Sequence, residues 1–213
     1  MRNYKLVLAM SMAVLLSGCV AFVRSTVLSF HTLPAVTAGT AYAFVPFEGQ
    51  SGNLEYQTYV NYIRAQLAAH QWTETDASSA QLLVSFGYSV DQGKVVTANV
   101  PVFGQTGISG ATTSGVVDSS GNFQSTTTYT PSYGITGYVP VSRMAYSRAL
   151  RIQMIDRASV DAQMPHTVYQ ADVISVGTSG ILAVVMPNMV KALFKDFPGE
   201  SGRVRTIVLS RPQ

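Results

Sequence analysis

The side chains that could carry chemistry are few in this 213-residue chain. Its three histidines, His31, His70 and His166, are far apart in sequence. None sits in the H-E-x-x-H or His-x-His spacing that brings two imidazoles to one metal ion. Packed or surface histidines are therefore the expectation, with no metal and no cofactor. Ser109, in Gly107-Ile108-Ser109-Gly110-Ala111, approaches the G-x-S-x-G of a nucleophile elbow. Ala111 breaks the pattern, and the flanks are β-prone rather than strand, turn and helix. Ser179 precedes a predicted helix, where it reads as an N-cap. Asp156, Asp161 and Asp172 lie on or beside neighbouring predicted strands, and so do Arg143, Arg151 and Arg157. Cross-strand ion pairing is expected there ahead of paired-carboxylate catalysis. No glycine-rich loop is followed by Lys-Ser/Thr, so no phosphate cradle is expected. No residue is assigned a catalytic role, and the expectation is a protein that is not an enzyme.

One thiol has a stronger claim. Cys19 is the only cysteine, and it ends the run Met1-to-Cys19, MRNYKLVLAMSMAVLLSGC. Arg2 and Lys5 give a basic start, and Leu6 to Leu16 are apolar apart from Ser11. That is the layout of a secretory signal, shorter than the ~20 apolar residues a spanning helix needs. Its end, Leu16-Ser17-Gly18-Cys19, resembles the lipobox of bacterial lipoproteins. The resemblance implies cleavage between Gly18 and Cys19 and acylation of Cys19. Each buried methylene contributes ~0.8 kcal/mol, so several acyl chains on Cys19 would hold the protein on a membrane. Val20, in place of aspartate, implies outer-membrane sorting, on the periplasmic face. The alternative is a plain signal cut nearby, with Cys19 a buried free thiol.

Residues 1–18 then form the signal, 19–24 a short lipidated tether and 25–213 one domain. Removing Arg2 and Lys5 leaves 12 basic against 11 acidic residues, a net charge near +1. That balance excludes the basic footprint of a nucleic-acid binder. No second thiol is left for a disulfide, so stability must come from a packed core.

Periodicity places the elements. Val23–Leu33 and Thr40–Phe47 read as strands. Tyr56, Val60, Ile63 and Leu67 recur as one stripe of an amphipathic helix, capped by Asn53 or Ser51. Leu82, Val84, Phe86, Tyr88 and Val90 alternate with Leu83, Ser85, Gly87 and Ser89, the pattern of a strand with one buried and one mostly polar face. Residues 143–156 alternate too and should form a hairpin with 166–177, the loop lying around 157–165. A second helix follows Ser179, with Pro187 either kinking it or starting its second half. Residues 202–209, GRVRTIVL, read as a last strand. The fold class is α+β, a mainly antiparallel sheet with two helices packed on one face.

Residues 95–142 differ from the rest. They are rich in Gly, Ser, Thr, Val and Tyr and carry one charge, Asp118. Asp118-Ser119-Ser120-Gly121-Asn122 is a strong turn signal between β-prone runs. The segment reads as an inserted β-hairpin or pair of hairpins, or as a flexible loop. Tyr129, Tyr133 and Tyr138 are its candidate partner-contact residues, since tyrosines on a projecting segment suit recognition.

The order of features resembles a family of bacterial envelope lipoproteins defined by a domain of unknown function. The shared features are the lipobox, Tyr42-Ala43-Phe44-Val45-Pro46, the Ala80–Phe86 strand, the Gly/Tyr-rich insert, RALRIQMID and a closing helix into Phe197-Pro198-Gly199. The likeness covers about residues 25–210. Gln81 stands where that family usually has aspartate. The resemblance implies an α+β envelope domain and supplies no active-site residues. The expected function is a non-enzymatic binding or structural module facing the periplasm, with an envelope protein or polymer as partner. A carrier of a lipid or other apolar ligand is the alternative, and an envelope-polymer hydrolase a third reading. A carrier needs an apolar cavity of at least ~300 Å³.

Overall fold

The computed structural model describes residues 22–33 and 39–210. Gly18 and Cys19, with the rest of the signal read from the sequence, lie outside them. The chain divides into two units, a body up to Gly93 and from Ala145 onward, and an arm, Lys94–Met144.

Among the described residues the structure is mixed α/β, with a mostly antiparallel sheet of eight strands and three α-helices. The strands are β1 Phe22–His31, β2 Ala41–Phe44, β3 Thr73–Glu74, β4 Leu82–Val90, β5 Lys94–Val117, β6 Phe123–Asp156, β7 Thr167–Gly177 and β8 Val204–Ser210. The helices are α1 Leu54–Ala69, α2 Arg157–Asp161 and α3 Met186–Phe194. In the body the sheet order is β3-β2-β4-β6-β7-β1-β8. The expected hairpin of β6 with β7 is present, with Ile152 opposite Ala171. β1 and β2, consecutive in sequence, are separated by β4, β6 and β7. β2 runs parallel to both its neighbours, β3 and β4, the departure from the antiparallel pattern.

Alternation decides the core. Leu82, Val84 and Phe86 of β4, Leu150, Ile152 and Met154 of β6, and Tyr169, Ala171 and Val173 of β7 are buried. The register sets Val84 beside Met154 and Phe86 beside Ile152. Helix α1 adds Tyr56, Val60, Ile63 and Leu67, the stripe expected from the sequence, together with Tyr59. Asn53 caps it, its Oδ1 accepting from the backbone N–H groups of Glu55 (2.8 Å) and Tyr56 (3.2 Å). Helix α3 joins the same core through Met186, Met189, Val190 and Leu193. Pro187 sits at its start, where a missing N–H costs nothing, so it initiates the helix and does not kink it.

Three local readings are corrected. Residues 157–161 form the short helix α2, begun by the Asp156 carboxylate accepting from Ala158 N–H. Ser179 is not the N-cap of α3: its Oγ accepts from Ile181 N–H in the turn before a 3-10 turn at 182–184. Ser85, assigned to the polar face, is buried and donates to the Val45 carbonyl at 2.8 Å, joining β4 to the chain leaving β2.

Arg148 is the one buried charged side chain among the described residues. Its guanidinium donates to the Ser175 carbonyl, the Ser175 hydroxyl and the Ser179 carbonyl. Gly177 makes room, since a Cβ there would sit 2.7 Å from Arg148 Nη2. Burial among these neutral acceptors lowers the Arg148 pKa.

Candidate functional site

The arm is a single ordered hairpin, which resolves the two readings of residues 95–142. β5 pairs with β6 and, within the arm, with no other described strand. Strand rise makes the 24-residue β5 roughly 80 Å long. The turn is closed by one carboxylate. Asp118 Oδ1 accepts from the N–H groups of Ser120 (2.8 Å) and Asn122 (2.9 Å), while Gly121 takes the left-handed conformation at φ 84°. Those donors hold the Asp118 carboxyl below its usual range, the Asn122 N–H first.

Cross-strand contacts give the register. The hydroxyls of Thr113 and Thr127 meet at 2.9 Å. Thr136 lies over Gly104, and Thr106 over Gly134. All three pairings agree with the closing bond from Asp118 N–H to the Asn122 carbonyl. Alternation then sorts the side chains. Phe123, Tyr129, Tyr133 and Ile135 share one face, and Phe123 covers Gly115. Gln124, Thr126, Thr128, Thr130, Ser132 and Thr136 share the other. Tyr138 alternates with Thr136, so it falls on the threonine face. All three tyrosines are open to solvent, at 60%, 73% and 62% for Tyr129, Tyr133 and Tyr138. Tyr129 and Tyr133 therefore share a face, and Tyr138 lies on the other.

Asp118 N–H points inward, so even-numbered N–H groups enter the ladder and odd-numbered ones point out. Pro131 occupies an outward position. It costs no ladder bond and interrupts the row of donors along the free edge of β6.

Several candidate chemical groups of the body are tied into structure. His31 Nδ1 and Nε2 lie 3.2 Å and 3.1 Å from the carbonyls of Leu33 and Gly199. His70 rests against Phe194 and Phe197, and the His166 backbone N–H donates to Ser159 Oγ. Asp172 pairs with Arg151 across β6 and β7 at 2.6 Å, and Asp161 pairs with Arg157. Ser109, in the arm, donates to the Thr130 carbonyl. No group of three or more metal-ligating side chains occurs among the described residues. No helix among them is long and apolar enough to cross a membrane.

The body carries clefts, two of which are wide enough to matter here. One, of about 360 Å³, is lined by Thr26, Leu28, Arg151, Asp172, Ile174 and Val204. The other, of about 380 Å³, runs between the end of β2 and helix α1, from Phe44 and Pro46 to Gln57, Asn61 and Arg64. Arg64 stacks over Phe44, its guanidinium carbon 5.8 Å from the ring centre. It also makes a two-point ion pair with Glu74, which raises its pKa. Both clefts exceed the size set for a carrier, and both carry charged or amide side chains on their walls.

A family model described as Domain of unknown function (DUF4136) matches residues 28–199. No curated protein matches the chain. Among solved structures, the chain is similar to a PDZ domain protein from Parabacteroides distasonis. That match has 14% identity and a TM-score of 0.47, over 95% of this chain and 42% of that one. It is also similar to the PelC dodecamer from Paraburkholderia phytofirmans, at 11% identity and a TM-score of 0.38, over 83% of this chain and 99% of that one. The chain thus spans less than half of the first of these proteins.

Proposed function

The chain belongs to the family described as Domain of unknown function (DUF4136), and from that premise we propose that it is a lipid-anchored binding module of the bacterial envelope. Acyl chains such as palmitate on Cys19 hold it to the outer membrane, facing the periplasm. Helices α1 and α3 cover one face of the body sheet and build the core that carries the arm. The arm captures an envelope protein or polymer through the face bearing Tyr129 and Tyr133.

One observation carries this reading. An isolated two-stranded hairpin is marginal in water, and this one exposes nearly every side chain. It also has a single charge, Asp118, between Lys94 and Arg143. A solvated face normally carries interspersed charge, whereas uncharged tyrosine-bearing faces suit contact.

The test replaces Thr97–Val141 by a short Gly/Ser linker and follows both thermal unfolding and crosslinking in living cells from the arm's flanks. Loop closure depends weakly on length, so the body should stay folded. The crosslinked partner should disappear. A folded deletion that keeps its crosslinks refutes the binding role, and an unfolded one refutes the division into body and arm.

A further inference from the structure

The geometry points to a binding site for an uncharged acetamido sugar in the cleft between β2 and α1, independent of the arm. Its rim is set by helical spacing. Gln57, Asn61 and Arg64 follow one another at i, i+4 and i+7, so their side chains stand in a row along one wall. Tyr56 and Val60, both buried, form the base of that wall, and Phe44 and Pro46 face it.

Charge decides first. Arg64 is the one ionisable side chain lining the cleft apart from the Tyr56 phenol, and Glu74 compensates it. An anionic ligand would have to compete with that carboxylate, so a neutral ligand is favoured.

Hydrogen-bonding capacity decides next. Among the described residues, the Gln57 carboxamide and the Ser51 hydroxyl make no side-chain hydrogen bond. Asn61 Oδ1 accepts from Arg64, which leaves its Nδ2 as a donor. The wall therefore offers two carboxamides, borne on Cβ atoms about 6 Å apart, and a hydroxyl, beside the apolar carbons of Val60 and Pro46. A peptide unit brings one carbonyl and one N–H for each residue. An N-acetylated pyranose brings those two groups, ring hydroxyls for the remaining partners, and a methyl for the apolar patch. The volume, about 380 Å³, accommodates one such ring.

The experiment uses the full chain in detergent micelles and di-N-acetylchitobiose as the probe. Saturation-transfer NMR reads which ligand protons touch the protein, and calorimetry gives the affinity. Saturable binding is expected, with the strongest transfer on the acetyl methyl. Gln57→Ala and Asn61→Ala should each weaken it about fivefold, the effect of one hydrogen bond. Both variants place a strong helix former at an exposed site, so folding is not at stake. Cellobiose, which lacks the acetamido group, should not bind. The inference is overturned by an absence of saturable binding, by equal binding of cellobiose or of N-acetylalanine methylamide, or by unchanged affinity in either variant. Deleting the arm should leave this binding intact, so the outcome is separate from the capture role proposed for the arm.

Discussion

Tyr56 and Tyr59 lie one turn apart on the buried stripe of α1, and the same substitution should move stability in opposite directions at the two. Tyr56 stacks on Phe86 with ring centres 4.7 Å apart and planes 9° from parallel. Its hydroxyl is shielded from solvent and has no hydrogen-bond partner among the described residues. Phenylalanine would keep the stack and remove a polar atom whose uncompensated burial costs ~1–3 kcal/mol. Tyr56→Phe should therefore gain roughly 1 kcal/mol, or ~2–4 °C in Tm for a domain of this size. Tyr59 is equally buried, but its hydroxyl donates to Glu55 Oε1 at 2.5 Å. A bond to a carboxylate contributes ~1.5–3 kcal/mol, and the exposure of Glu55 brings the expected loss in Tyr59→Phe down to ~1 kcal/mol. Urea titration of the two variants beside the parent measures both values. Shifts of the same sign would refute the assignment of one satisfied and one orphaned hydroxyl.

Phe86→Ala should cost ~3–5 kcal/mol, because a fully buried ring in contact with Tyr56 and Phe44 is lost. Ser85→Ala should cost ~1 kcal/mol through its bond to the Val45 carbonyl; equal effects in a denaturant titration would show the strand's facing to be wrong. Burial, then the Glu74 charge, pushes the Tyr42 phenol from 10.0 up to about 12, and burial raises Tyr59 and Tyr169 as well. These groups hold their protons more tightly folded than unfolded, so their contribution is complete below pH ~10 and is lost as pH rises toward 12. Thermal melts between pH 8 and 12 should show Tm falling only above ~10. Cys19→Ser should abolish fatty-acid labelling in cells; label retained on the variant would refute the lipobox reading.

Much of the body was legible because its elements are amphipathic with a clean period. The stripe from Tyr56 to Leu67 and the alternation through Leu82, Val84 and Phe86 mark their own buried faces. The place of β2 was not legible. Nothing in Ala41–Phe44 itself says that it pairs in parallel with β3 and β4, since parallel pairing is fixed by partners far along the chain. Arg148 was legible in principle. It shares parity with Leu150, Ile152 and Met154, but hydropathy argues for exposure, and only Gly177 and two serines supply the space and acceptors that reverse this. For the arm, the Asp118–Asn122 turn signalled a hairpin. The weak alternation of Thr, Ser and Gly left its faces unreadable until cross-strand contacts fixed the register. Tyr129, Tyr133 and Tyr138 look alike in sequence, and register alone separates the third from the other two.

Pro131 bears on how recognition by the arm could change over generations. A strand added along an edge is held by backbone groups that every peptide possesses, so it selects poorly among partners. With a donor missing from the β6 edge, a partner captured as proposed would be discriminated by the side chains on the two faces. The hairpin is held by inward backbone groups, by cross-strand hydroxyl bonds such as Thr113 to Thr127 and Ser109 to the Thr130 carbonyl, and by Asp118 and Gly121 at the turn, and neither Tyr129 nor Tyr133 takes part in these. Under the capture role proposed above, substitutions at Tyr129 or Tyr133 would therefore redirect specificity while the hairpin persists. The arm thus separates the residues that keep its shape from those whose change leaves that shape intact.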